Sequence, residues 1–514
     1  MRGSDPLLLG IDAGTTNTKA VIAAPDGRVV AAASEPTPVI YPQPEWAEYE
    51  PEALWRSCIA AIRAAVAQLD DPGRVRGLAI ASMAETAVPL DAAGRPTFPA
   101  IAWFDKRARP QLDRLVAKIG AERLFEISGL AAEPIFGLLK LLWLQENAPE
   151  AFARTRRWLN VADYLAWRFC GVAATDHSLA CRTFAYDLAR TRWAEDLLHA
   201  VGIDPGLMAP LARSGEALGR LLPEAATATG LAPDCVVAVG GHDHVVGALA
   251  ADALRPGVLL NSLGTTEALL RAVERPVMDR ELARRGLSQG VIVVDRPCWY
   301  VVGGLFTAGG AVEWFRRAIA AGAPYETLVA EAEAAPVGSL GTGFLPHLRL
   351  GTPPHPDGQA RGAFFGLSTD TTRGCLFRAL LEGIAADARL CAEAMQSLVA
   401  SAGPEEIRVI GGGSRNDLYL RIKAATWNRP LAVLDMPEAV ALGAACLAGI
   451  GAGIYAGRDE MRAGLRRAER EVRPDPAWAA LYGCLVEEVY RKGYPALRPL
   501  HEASRACLAR QGTG

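Results

Sequence analysis

Apolar and polar positions alternate in a repeating order along this chain. The first apolar run, Leu7-Leu8-Leu9-Gly10-Ile11, passes through Asp12-Ala13-Gly14-Thr15-Thr16-Asn17-Thr18-Lys19 into Ala20-Val21-Ile22. That order predicts a strand, a Gly/Thr turn and a second strand. Asp26-Gly27 supplies the next turn before Arg28-Val29-Val30-Ala31. Over 51–69 the residues Leu54, Cys58, Ile62, Ala65 and Leu69 form one stripe of an amphipathic helix. Residues 77–81 read as a short buried strand, and 236–239 as another that ends at Gly240-Gly241. The opening pattern then returns over 257–270, where an apolar strand runs into Gly264-Thr265-Thr266 and out again. Residues 291–294 and 299–302 predict a strand pair, and 407–410 a strand running into Gly411-Gly412-Gly413. Strands alternating with helices place the chain in the α/β class. Two copies of one hairpin, about half a chain apart, suggest a duplicated unit. The junction falls within 252–256, dividing the chain into 1–253 and 254–514, the second ending in a helical tail.

Length supports the division, because 514 residues exceed one ordinary core. With 50% apolar and 22% charged residues the balance is that of a soluble globular protein. No apolar run is long enough to predict a membrane span. The first six residues carry no apolar signal core, so a cytoplasmic location is expected. A formal net charge of -3 gives no basis for a nucleic-acid or anionic-membrane partner. The 10 cysteines include no Cys-x-x-Cys pair, so neither a zinc site nor a redox pair is indicated. Cys58, Cys181 and Cys375 read as small core residues.

The turns carry the candidate chemistry. Gly14 lets the backbone approach a bound group, while Thr15, Thr16 and the amides beside them can donate to phosphate. Two such turns facing across a cleft would grip one triphosphate; the alternative is two unrelated hairpins. Asp243 follows a buried strand and two glycines in Val239-Gly240-Gly241-His242-Asp243-His244-Val245, which would project its carboxylate into a cleft. Its alternative role is the N-cap of a helix starting near Val245.

Further segments follow in order: 303–314 with Gly303-Gly304-Leu305-Phe306-Thr307-Ala308-Gly309-Gly310, then Ala360-Arg361-Gly362-Ala363-Phe364-Phe365-Gly366-Leu367, Arg378-Ala379-Leu380-Leu381-Glu382-Gly383 and Gly411-Gly412-Gly413-Ser414-Arg415-Asn416. With the two Gly-Thr-Thr turns, these resemble the FGGY carbohydrate kinases from residue 7 to about residue 455. The resemblance implies two actin-like (RNase H-like) ATPase domains around a deep interdomain cleft, with magnesium-ATP on one side and a sugar at the floor. Phosphoryl transfer to an alcohol needs a base, a metal and donors around the transferring group. On this resemblance Asp243 is the general base, and Asp12, with Asp243 beside it, holds Mg²⁺ directly or through water. An Asx-type turn is the other role for Asp12. Gly14, Thr15, Thr16, Asn17 and Lys19 match the first phosphate turn, and Gly264, Thr265 and Thr266 the second. Lys19 could equally be a solvated strand residue. Gly309 lies where similar kinases bring backbone close to the nucleotide. Gly412, Gly413 and Asn416 resemble the adenosine-side loop, with an N-cap on helix 417–427 as the other use of Asn416. His244 is expected to touch the substrate and His242 to pack, since two His and one Asp on one short turn seldom close a metal site.

The acceptor side rests on Met83, Ala84 and Glu85, in the segment where this family touches its sugar. Glu85 matches a hydroxyl-binding Glu of glycerol kinases, but Ala84 stands where those enzymes carry Arg. Met83 and Ala84 also depart from the Gln-Met-His segment of many xylulokinases. Trp103-x-Asp105-x-Arg107 keeps a family pattern: Trp103 offers an apolar face to C–H groups, and Asp105 and Arg107 bond hydroxyls or each other. Trp46 is expected to be structural. At Leu350-Gly351-Thr352-Pro353-Pro354 an acid and a base of the family's Gly-Glu-Arg-x-Pro are missing. The expected activity is ATP-dependent phosphorylation of a small sugar or polyol, a ketopentose such as xylulose being favoured over glycerol. The rival of another class is an actin-like ATPase or nucleotide-gated interaction protein without an acceptor. Similar kinases are often dimers, so a homodimer is the expected assembly.

Overall fold

The computed structural model describes residues 5–399 and 403–510. Its framework is two sheets of related order. The first contains β1 (Leu7–Ala13), β2 (Asn17–Ala23), β3 (Val29–Pro36), β4 (Val75–Ser82), β5 (Ala217–Arg220) and β6 (Val236–His242), arranged β5-β6-β4-β1-β2-β3. The second contains β7 (Val258–Leu263), β8 (Glu267–Val273), β9 (Ser288–Val293), β10 (Pro297–Leu305), β11 (Glu406–Ile410), β12 (Leu431–Leu434) and β13 (Glu469–Val472), arranged β9-β10-β8-β7-β11-β12-β13. Superposing β1 on β7 matches the hairpin partner (β2, β8), the parallel neighbour (β4, β11), the next parallel strand (β6, β12) and an antiparallel edge (β5, β13). Only β9 has no counterpart. This is the duplication that the repeated hairpin implied, in the actin-like arrangement that the family resemblance implied.

Both faces of each sheet are covered, which explains the nearly unbroken apolar strands. Successive residues of β1 enter different cores: Leu7, Leu9 and Ile11 face outward, and Leu8 faces the other sheet. Leu259 and Leu263 against Val258 and Leu260 do the same in β7. The outer core of the first sheet is closed by α1 (Pro51–Val66) and α2 (Val161–Cys170). Helix α1 starts sharply because the Glu50 carboxylate accepts from the amides of Glu52 (3.2 Å) and Ala53 (2.6 Å), with Pro51 at the first position. Between the sheets lie α3 (Asp243–Ala250) and, from the end of the chain, α6 (Ala439–Gly451). Outside the second sheet stand α4 (Arg373–Gln396) and α5 (Asp417–Trp427). All strands of the first sheet precede residue 252 and all of the second follow residue 256, yet α6 packs on β1, β4 and β6.

Helices between β4 and β5, including Arg109–Ile119 and Gly137–Asn147, build a separate core around Phe136, Leu139, Trp143 and Phe184. The 350–354 segment is tied within the second lobe, where Thr352 donates to Asp387 at 2.5 Å. The tail forms helices Pro476–Leu485 and Arg491–Arg510, anchored by Tyr490 and Tyr494. Among the described residues no helix is long and apolar enough to cross a membrane.

Candidate active site

In open α/β sheets the carboxyl ends of parallel strands are where a ligand meets both backbone and side chains. Here β1, β4 and β6 end at Ala13, Ser82 and His242. Asp243 is the first residue of α3, not the cap before it, and its side chain is only partly accessible. Its Oδ1 accepts the amide N–H of His244 at 2.5 Å and lies 3.2 Å from His242 Nε2 and 3.9 Å from His244 Nε2. Burial alone would raise its pKa, but the neighbouring His244 and His242 win and hold it down to about 2. Asp12 shows the opposite balance. Burial first, then the negative charge of Asp243, with Glu438 adding to it and Lys19 opposing, pushes its carboxyl up to about 8. Its Oδ1 is buried without a hydrogen-bond partner.

Glu438 was invisible to motif reading. It is the N-cap residue of α6, the helix that follows β12 as α3 follows β6, one position before the place that Asp243 takes in α3, so the duplication itself is the signal that could have found it. It forms a 2.8 Å ion pair with Lys19, which reaches across from the first hairpin. Near their N-termini α3 and α6 cross, Val246 meeting Gly443 and Gly247 meeting Val440. Two helix N-termini therefore converge beside Asp12, a disposition that favours anions. The unpartnered Asp12 oxygen and the surrounding carboxylates form an oxygen-rich, negatively charged corner that fits a hard divalent cation. His242, Asp243 and His244 also lie with ligand atoms within 4.8 Å of one another. Imidazoles suit transition metals better than magnesium, and here both rings already serve the Asp243 carboxylate.

The first Gly-Thr-Thr turn closes when Gly14 N–H donates to the Asn17 carbonyl at 3.1 Å, leaving Thr16 and Asn17 exposed. Tyr49 O–H donates to the Thr15 carbonyl (3.1 Å), and Trp103 indole N–H to the Thr15 hydroxyl (3.0 Å). Trp103, 38% exposed, is thus fixed to the first Gly-Thr-Thr turn. The second turn closes one residue tighter, Gly264 N–H donating to the Thr266 carbonyl at 2.9 Å, and Gly264, Thr265 and Thr266 are all exposed. Gly309 sits against it, donating to the Gly264 carbonyl at 3.1 Å. Asn416 performs its alternative role: its side-chain oxygen caps α5 through Tyr419 N–H (3.0 Å), and its amide donates to Tyr325 O–H (2.8 Å). Gly412 and Asn416 line a cavity of about 930 Å³ with Tyr325, Val329 and Arg421.

On the acceptor side the predicted residues separate. Met83 and Ala84 pack into the first lobe's outer core and are 3% and 2% exposed. Glu85 holds a left-handed backbone (φ 57°), unusual for a non-glycine residue. Its Oε1 accepts Arg182 Nε at 2.6 Å, and Arg182 Nη1 donates onward to Ser288 Oγ at 2.7 Å in the second lobe. Lys140 Nζ donates to the Glu85 carbonyl; burial depresses its pKa to about 7, against the pull of Glu85 and Asp105 and with a push from Arg107. The expectation of acceptor contacts for Asp105 and Arg107 is corrected. They form a buried ion pair (2.7 Å) with side chains 1% and 0% exposed, and Arg107 also holds Glu48 (2.6 Å) and lies 3.9 Å over the Trp46 ring. No face is left for a sugar hydroxyl. His244 is exposed at the mouth of the site. Sequence reading missed Arg182 and Lys140. Lys140 did leave a signal, as a lone cation inside the apolar run Leu138-Leu139-Lys140-Leu141-Leu142.

Residues 7–250 match the N-terminal domain, and residues 259–452 the C-terminal domain, of the FGGY family of carbohydrate kinases. The chain is 29% identical over 500 residues to a xylulose kinase of Bacillus subtilis, covering 97% of this chain and 99% of that protein. It is 32% identical over 485 residues to a glycerol kinase of Ralstonia nicotianae, covering 91% and 94%. The crystal structure of a xylulose kinase from Rhodospirillum rubrum superposes with a TM-score of 0.86 at 28% identity, over 96% of this chain and all of that one.

Proposed function

Because this chain belongs to the FGGY family of carbohydrate kinases, we propose a reading of its cleft in which ATP phosphorylates a hydroxyl of a small sugar, a ketopentose such as xylulose being favoured. It is a phosphotransferase with an alcohol group as acceptor. Asp243 takes the hydroxyl proton. Its low pKa keeps it ionised, and phosphoryl transfer asks for positioning and charge stabilisation more than for a strong base. Thr15, Thr16, Asn17 and Lys19 on one lobe, and Gly264, Thr265 and Thr266 on the other, supply donors to the phosphates. Gly309, Gly412, Gly413 and Asn416 border the nucleoside. Asp12, with Asp243 beside it, would hold Mg²⁺, which when bound would supply positive charge against the phosphates. Glu85, Trp103 and His244 face the acceptor. The acceptor and base lie on the lobe of residues 1–253 and the nucleoside on 254–514; the protein acts in the cytoplasm as a homodimer.

The observation that supports this reading most is the convergence of Asp12, Asp243, Lys19 and Glu438 where two helix N-termini meet. A polyol such as glycerol is the second reading, supported by relatives named glycerol kinase. Against it, Ala84 stands where glycerol kinases carry Arg, and the guanidinium on Glu85 comes instead from Arg182 (2.6 Å). The experiment is ADP release by purified protein across ketoses, aldoses and polyols, repeated with Asp243→Asn. Acceptor-stimulated turnover that falls by roughly 10²- to 10⁴-fold in the variant is the expected result. Slow ATP hydrolysis that ignores every acceptor, or full turnover by Asp243→Asn, would overturn it.

A further inference from the structure

The turn that delivers Asp243 leaves its sheet through a bulge. Strand β6 pairs with β4 as Ala238↔Ala79 and resumes at Gly241↔Ala81, so the strand has one residue more than its partner. A Cβ at Gly240 would lie 1.7 Å from the Ile80 carbonyl oxygen, and one at Gly241 would lie 2.9 Å from Ser178 Oγ. The backbone of the turn is thus cast against the helical turn His177–Ala180, from a part of the chain that the motifs did not single out.

That contact is specific. The His242 amide donates to Ser178 Oγ at 2.8 Å. Ser178 O–H donates in turn to Asp176 Oδ2 at 2.6 Å, and Asp176 is fixed by the amides of Ser178 (2.8 Å) and Leu179 (2.9 Å) and by Ser214 O–H (3.0 Å). Asp176 and Ser178 are wholly buried. With its one proton committed to Asp176, Ser178 can meet the 242 amide only as an acceptor. Asp243 in turn is oriented by its own neighbours, the His244 amide and the His242 ring, so its aim follows the backbone of this turn.

We propose that Ser178, held by Asp176, is a positioning residue that fixes the 241–242 peptide and so aims the Asp243 carboxylate, one residue on, at the acceptor hydroxyl. The inference rests on the reading of Asp243 as the base. Displacing a reacting group by about 1 Å costs on the order of 10²-fold in rate. Ser178→Ala leaves a buried amide without its acceptor and should lower acceptor phosphorylation by roughly 10- to 100-fold, with KM for ATP little changed. Hydrolysis of ATP by water does not need the aimed carboxylate, so the ratio of hydrolysis to transfer should rise. Ser178→Thr, which restores the hydroxyl, should recover most of the transfer. If the alanine variant does not fold, Ser178→Cys keeps the volume with a weaker acceptor and gives the same readout. Wild-type transfer, or loss of transfer and hydrolysis in equal proportion, overturns the proposal. Asp243→Asn measured alongside separates the two ideas. Full turnover there removes the base itself, whereas an inactive Asp243→Asn beside a normal Ser178→Ala removes only the positioning role.

Discussion

A buried ion pair behind the second Gly-Thr-Thr turn offers a quantitative test of how the proposed nucleotide side is held. Glu267 follows Thr266 directly, and its carboxylate accepts from Lys423 Nζ (2.5 Å), Asn261 Nδ2 (2.9 Å) and Tyr419 O–H (2.7 Å). Both charged side chains are 0% exposed. Tyr419 and Lys423 lie on α5, whose cap is Asn416, so the pair joins the turn to the 412–416 loop proposed to border the nucleoside. Removing one partner of such a pair leaves an uncompensated buried charge, at a cost of about 3–5 kcal/mol. Glu267→Gln and Lys423→Met should each lose that much in denaturant titration, with m unchanged. The double variant should not lose the sum. The amide that replaces the Glu267 carboxylate can still meet Asn261 and Tyr419, and no cation remains to be neutralised, so the double change should cost less than either single one. The coupling should therefore amount to several kcal/mol, well above the ~0.5 kcal/mol scatter of independent sites. KM for ATP should rise in both single variants and return towards wild type in the double. Additive losses would refute the argument, because they would mean that neither charge depends on the other.

Three other outcomes follow from the geometry. A Cβ at Gly412 meets nothing within 4 Å, so Gly412→Ala should fold normally, within about 0.5 kcal/mol, while raising KM for ATP; the neighbouring Gly411 has φ 95° and a Cβ site 2.5 Å from the Leu263 carbonyl, so Gly411→Ala should lower the melting temperature instead. Asp105→Asn takes from buried Arg107 one of its two carboxylate partners, Glu48 remaining, and should cost about 1.5–3 kcal/mol in urea unfolding while acceptor KM moves far less, the reverse of what a sugar contact would give. Burial lowers the Lys140 pKa to about 7, below its unfolded value, so the unfolded chain binds more protons between pH 7 and about 10.4 and stability from this group rises with pH there, fading as pH falls through 7. Unfolding midpoints of wild type minus Lys140→Met at pH 7 and pH 9 should show that gain, and a pH-independent difference would contradict it.

The sequence was most legible where local rules decide. The helix expected over 417–427 is Asp417–Trp427, and the one expected over 51–69 is Pro51–Val66, ending early because residues 67–69 tighten into a turn. The strand expected over 77–81 extends to Val75–Ser82, since an exposed Arg76 and a buried Ser82 hide strand ends from an apolar pattern. Cys58, Cys181 and Cys375 are buried free thiols, as their composition suggested. What stayed illegible depends on distant partners. Whether Asp105 and Arg107 met hydroxyls or each other was decided by Glu48, Trp46 and Trp143, which no local spacing links to them. Arg182 and Ser178 belong to no periodic stripe; their neighbours lie on β9, the 83–85 segment and the 242 turn.

The two aspartates at the floor show why the site needs both lobes. Environments that push the pKa values of neighbouring carboxyls apart assign them different tasks. Asp243, beside two histidines, remains charged without help from any ligand. Asp12 does not: in a dry wall, facing Asp243 and Glu438, its orphaned oxygen is satisfied only by a proton or a cation. Lys19 is the nearest cation, but it is already engaged with Glu438 at the start of α6, a helix that the chain contributes only after completing β12 of the second lobe. A divalent cation held there would therefore relieve a repulsion that the chain builds by bringing its two ends together. A ligand that binds only the folded arrangement stabilises it by mass action, so on the proposed reading relief at Asp12 would appear as a rise in melting temperature when magnesium and nucleotide are added together.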